Sequence, residues 1–126
     1  MTPHAGRLIW TRLDLGLTKS NLADWLGVHQ KSVSRWERSE RPMPDEFLPK
    51  IDELHCITND AIERVDTGGG TVALGDPEDF HAFWDTWPEY EPLPPSWWWV
   101  VTHRAQQRGH VTVTYADDNR YSRNQK

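Results

Sequence analysis

The chain reads as a mainly α protein, an N-terminal helical bundle followed by a small α+β domain, and three features predict it. Apolar residues recur at steps of three and four across most of the first half. Gly16, Gly27, Pro42 and Pro44 cut that half into several short helices and one long one. Short strand segments at 71–74 and 111–115 occur only beyond Gly68-Gly69-Gly70. A chain of 126 residues has room for one medium domain or two small ones.

Taken in order, Leu8, Ile9, Trp10 and Leu13 give an apolar stripe at helical spacing that ends at Gly16. A second helix starts at Thr18, whose hydroxyl can cap the following amides, and carries Leu22, Ala23, Trp25 and Leu26. Gly27 adopts a left-handed backbone without steric cost, so residues 26–28 read as a tight turn. A third helix covers about 30–38 and stops before Pro42. Phe47, Leu48, Ile51, Leu54, Ile57, Ala61, Ile62 and Val65 then mark one long amphipathic helix, with Cys56 expected inside it as a small buried apolar residue.

The expected division is a first domain over 1–66, a Gly-rich hinge at 67–70, a second domain over 71–116 and a polar tail at 117–126. In the second domain Asp76-Pro77-Glu78-Asp79 predicts a helix start with Asp76 as cap, followed by Phe80, Phe83, Trp84 and Trp87. Residues 88–95 read as an extended linker, and Ser96 as the cap of a segment over 97–107. That segment suits a helix by its surroundings and a strand by its Trp-Trp-Trp-Val-Val-Thr composition, so both stay open.

Charge is unevenly spread. Seven basic residues face four acidic ones over 1–42, two face thirteen over 43–95, and five face two over 96–126. A basic head on an acidic body suits a surface that meets phosphate with one face. No apolar run approaches the ~20 residues of a membrane span. Residues 1–7 lack a signal-peptide pattern, and a single cysteine excludes a disulfide framework, so a cytoplasmic location is the expectation. The six histidines show no metal spacing, and there is no phosphate-binding Gly loop, nucleophile elbow or plausible triad. Neither an enzyme activity, a cofactor nor a metal is expected.

Residues 19–38 form the informative unit. Small Ala23 lets two helices approach, Gly27 makes the turn, and Leu22, Leu26, Val28, Val33 and Trp36 supply buried positions. With Val33 and Trp36 inward, helical geometry turns Gln30, Lys31, Ser34 and Arg35 outward. This arrangement resembles the helix-turn-helix of the phage-repressor class, the Xre or Cro/cI family. The resemblance implies that Arg12 and Glu37 form a structural ion pair bracing the first helix against the third. It also implies a major-groove recognition helix bound to a double-stranded DNA operator, cytoplasmic and nucleoid-associated when bound. Gln pairs with adenine and Arg or Lys with guanine, so Gln30, Lys31, Ser34 and Arg35 are the expected base contacts. Lys19, His29, Ser32, Arg38 and Arg41 are the expected phosphate contacts. His29 stands where a small hydroxyl often caps the recognition helix, and is expected to cap poorly or touch phosphate.

One such head reads few base pairs, so a homodimer on an inverted repeat is expected, with the second domain as its dimerisation element. The order long helix, strand, acid-capped helix, aromatic helix, strand, together with Met-Pro-Asp-Glu at 43–46, resembles the YdiL-like group and the anti-CRISPR-associated regulators. Trp84, Trp87, Trp97, Trp98, Trp99, Val111 and Val113 are the expected core and dimer interface. Two other readings of the Trp run stand beside it: a pocket for a small-molecule effector, and a surface that captures a protein such as a toxin.

Overall fold

The computed structural model describes residues 2–115, so the tail reading at 117–126 lies outside the described residues. The protein is mainly helical with one small two-stranded parallel sheet. In chain order the elements are α1 (Ala5–Asp14), α2 (Lys19–Leu26), α3 (Gln30–Glu37), α4 (Leu48–Gly68), β1 (Gly70–Leu74), α5 (Phe80–Thr86), α6 (Pro95–Gln107) and β2 (Val111–Tyr115). No helix among the described residues is long and apolar enough to cross a membrane.

Helix α1 buries Ala5, Leu8 and Thr11, with Leu15 just beyond its end, while Trp10 and Leu13 stay 61% and 66% exposed. The expected stripe is therefore rotated, because the inward face follows residues 5, 8, 11 and 15. Thr18 and Asn21 make a reciprocal capping box at the start of α2, each side chain accepting the other's backbone N–H at 3.0 Å. Gly27 ends α2 at φ 72°, and the Val28 N–H reaches back to the Ala23 carbonyl at 3.0 Å. The tight turn delivers α3 directly.

Helix α4 buries Ile51, Leu54, Thr58, Ala61, Ile62 and Val65 along one face. Cys56 is exposed, which corrects the expectation of a buried thiol: it falls on the face opposite Leu54 and Ala61. The expected hinge at 67–70 is not a segment of its own. Helix α4 continues through Gly68 and β1 begins at Gly70, leaving Gly69 as the turn. Side chains span this junction: Arg108 pairs with Glu63, and His110 Nδ1 meets Asp66 Oδ1 at 2.8 Å.

Three further boundaries move. Asp76 accepts the Glu78 N–H in a turn, and the cap of α5 is Asp79, which accepts the Ala82 N–H at 3.0 Å. Residues 88–95 are packed rather than extended, with a 3₁₀ turn at Pro88–Tyr90 and buried Tyr90, Leu93, Pro94 and Pro95. Ser96 does not cap α6. Pro94 precedes the helix, Pro95 opens it, and the Ser96 hydroxyl donates to the Gly16 carbonyl at 2.8 Å.

The choice between helix and strand at 97–107 falls to helix. Trp97, Trp98, Val101, Thr102 and Ala105 are buried, a spacing that one helical face satisfies and a strand would split between two faces. That face lies against α4, where Trp97 Nε1 donates to Thr58 Oγ1 at 2.9 Å. Strands β1 and β2 pair in parallel with Gly70 opposite Val111 and Leu74 opposite Tyr115. Parallel pairing demands a crossover, which α5 and α6 supply. A continuous cluster of buried apolar side chains runs from Leu8 through Ile51 and Trp97 to Val113.

Candidate nucleic-acid interface

The turn at Gly27 sets α3 across the surface formed by α1 and α2. Val33 is fully buried, and Trp36 is 7% exposed with its ring 5.2 Å from that of Phe47. Arg12 clamps the far end. Its Nε donates to Glu37 Oε2 at 2.9 Å and its Nη2 to Oε1 at 3.0 Å, a bidentate pair with only 5% of the Glu37 side chain exposed. Removing either partner would strand the other charge out of water, so the pair fixes α3 against α1. Trp25 does the same between α2 and α4, donating from Nε1 to the Lys50 carbonyl at 2.9 Å while Lys50 Nζ lies 5.2 Å over its ring.

The N-terminus of α3 is capped by His29, whose Nδ1 accepts the Lys31 N–H at 3.0 Å. This corrects the expectation of a poor cap. An accepting Nδ1 leaves the ring proton on Nε2, as a donor directed away from the helix. Beyond the cap, Gln30, Lys31 and Arg35 are exposed and Ser34 is half-buried; helical spacing puts Lys31, Ser34 and Arg35 on the face turned away from Val33 and Trp36, with Gln30 at its edge in the first turn. Ser32 is half-buried on the flank of the same helix, and Lys19 is half-buried at the first position of α2.

Ion pairing separates these residues from the rest of the molecule. Among the described residues Arg7, Arg12, Arg38, Lys50, Arg64, Arg104 and Arg108 all meet carboxylates. Lys19, Lys31, Arg35 and Arg41 have no such partner among the described residues, and all four belong to α2, α3 or the loop that follows. Gln30 and Ser34 likewise make no side-chain hydrogen bond among the described residues. Arg38 differs from its neighbours, since its Nε lies 3.1 Å from Glu40 Oε1.

The second group of expected site residues is placed elsewhere. Trp97, Trp98, Val111 and Val113 are buried within one chain, at 0%, 7%, 5% and 8% exposure. Trp97 is spent wholly on the core of one chain, and Trp98, Val111 and Val113 leave little area for a partner. Trp84, Trp87 and Trp99 remain partly accessible against the same core. The sequence reading missed how α6 is bolted to the first half. Besides the Ser96 to Gly16 bond, Arg104 Nη2 reaches Asp14 Oδ1 at 2.8 Å and the Asp14 carbonyl at 3.0 Å. A Cβ on Gly16 would lie 3.0 Å from Val100 Cγ2 and 3.1 Å from the Ser96 carbonyl, at a φ of +70°. The visible signal was Gly16 alone, read as the end of a helix. A scan against models of known protein families and a search of curated proteins found no match to this chain.

Proposed function

We propose that the chain binds double-stranded DNA through the major groove with α3, as a homodimeric, sequence-specific transcriptional regulator of the helix-turn-helix class that represses from an inverted-repeat operator. The observation that carries this reading is the placement of Lys19, Lys31, Arg35 and Arg41. These four cations, unpaired among the described residues, all fall within residues 19–41, in α2, α3 and the loop after it, whereas the other described Lys and Arg side chains are paired and the sequence is acidic overall. Phosphate oxygens are the partners such donors lack.

The roles divide by position. Gln30, Lys31 and Arg35 reach base edges, with Ser34 between them at the groove wall. Lys19, Ser32, Arg41 and the Nε2 proton of His29 meet the backbone on either flank. Arg38 contributes there only by exchanging Glu40 for phosphate. Two copies on half-sites about one helical turn (~34 Å) apart supply the affinity that one head lacks. Cytoplasmic residence follows from this role.

Footprinting on the DNA that flanks the protein's own gene tests the reading. A protected site with two symmetric halves is expected, along with weaker, salt-sensitive binding to random duplex. Absence of both protection and low-salt duplex binding would remove DNA as the partner. Sedimentation of the free protein reads the dimer separately.

A further inference from the structure

We infer that the chain holds a second binding site, a pocket for a small organic cation beside the C-terminal end of β1. A cavity of about 320 Å³ opens where Leu74 and Gly75 leave the strand, between α5 and α6. The crevice beyond the carboxyl ends of parallel strands is where open α/β arrangements bind ligands, and the volume lies within the range of small-molecule sites. Its apolar walls are Phe83, Trp87, Trp98 and Trp99, and its charged groups are Asp76 and Asp79.

Charge selects the ligand. No Lys or Arg lines the cavity. Its lining comes from a stretch, 65–103, that carries seven carboxylates and no Lys or Arg at all. Aromatic faces add an attraction for cations that they do not offer to anions. The cluster already hosts one such cation, since the Arg64 guanidinium lies 4.8 Å over the Trp87 ring. Trp98 in turn lies 4.9 Å from Trp87, so the aromatic wall is continuous. Asp76 and Asp79 each accept one backbone N–H, from Glu78 and Ala82, and keep further lone pairs for an ammonium group. A concave site of this size fits a flat or branched amine, whereas a stable protein interface needs upwards of about 1,000 Å². The pocket stands or falls independently of the DNA reading.

Isothermal titration of the full-length chain with tryptamine and benzyltrimethylammonium tests it, with tryptophol as the neutral counterpart and indole-3-acetate as the anion. Saturable one-to-one binding of the cations is expected, weaker by about tenfold or more for tryptophol and absent for indole-3-acetate. Combining Asp76→Asn with Asp79→Asn should remove that preference while keeping the turn and the helix cap, because Asn fills both roles. Trp99→Leu should weaken the cations, and Trp10→Leu, at a residue that does not line the cavity, should not. The proposal is overturned if neither cation saturates, if tryptophol or indole-3-acetate binds as well as tryptamine, or if the Asn variants bind unchanged. It is also overturned if only an arginine-rich peptide binds, which would make the cavity part of a protein interface.

Discussion

Helices α3 and α6 use their side chains in opposite ways. Helix α3 buries three of its eight residues and leaves the side chains of Gln30, Lys31, Ser34 and Arg35 without a partner among the described residues. Helix α6 buries six of its thirteen residues, and most of its polar groups make internal bonds, among them Ser96 to Gly16, Arg104 to Asp14, and Gln106 accepting the Val113 N–H at 2.6 Å. A helix that serves stability finds partners for its donors inside the molecule. One whose donors stay unmatched, while neighbouring cations are paired, keeps them available to a partner. That contrast supports the proposed role of α3 without reference to any relative.

Substitutions should divide along the same line. Trp97→Ala should cost about 3–5 kcal/mol of stability in urea denaturation, since it empties the centre of the α4–α6 contact. Glu37→Ala should cost a similar ~3–5 kcal/mol by leaving the Arg12 guanidinium without its partner. A loss below about 1 kcal/mol for either variant would break the scaffold half of the comparison.

Arg35→Ala should leave stability within about 0.5 kcal/mol. In binding assays on operator variants it should lose ~1–3 kcal/mol and relax preference at one base pair per half-site. Equal losses on operator and random duplex would move Arg35 from base readout to phosphate. Lys19→Ala should weaken all duplexes alike and lower the logarithmic salt slope by about one unit.

The smallest expected effect concerns Asp66, at the junction of α4 and β1. Its hydrogen bond with His110, and secondarily the charge of His110 and Arg108, hold its carboxyl below the ordinary 3.8, against the opposing effect of burial. A lowered folded value contributes stability above the unfolded carboxylate value, and that contribution is lost as pH falls through the folded one. Asp66→Asn should therefore melt slightly lower than the parent at neutral pH, with the difference closing below about pH 4. A difference that persists unchanged into acid would assign the effect to packing instead of charge.

The comparison also revises the division of the chain. Removing the second half would uncover Thr58 and the face of α4 that α6 covers, and would release the bonds to Asp14 and Gly16. The first half is thus not expected to persist intact as a separate head, contrary to what a Gly-rich hinge suggested. Circular dichroism and sedimentation of residues 1–70 would check this, and a cooperative melt at the parent's temperature would restore the hinge.

How legible each part was depends on the range of its causes. Short helices, the turn at Gly27, the cap at Thr18 and the outward row of α3 follow from spacing within about one or two helical turns, and such local signals survive in a single sequence. The Arg12–Glu37 pair was reached through resemblance, because nothing local links residues so far apart. Where local signals competed, they misled. Three consecutive Trp argued for strand or interface, Ser96 and Asp76 each looked like a cap, and three glycines looked like a linker.

From residue order alone came the mainly helical class, the basic first segment on an acidic body, and which side chains of the third helix face away from its apolar stripe. Only the tertiary structure decided that α6 is a helix, that Trp97 and Trp98 belong to the core of one chain, and that the two halves share that core. It also decided which cations have partners. The physical reason is distance along the chain. Periodicity reports contacts between near neighbours, whereas Ser96 meeting Gly16, Trp97 meeting Thr58 and the open cavity between α5 and α6 arise only when separate helices pack.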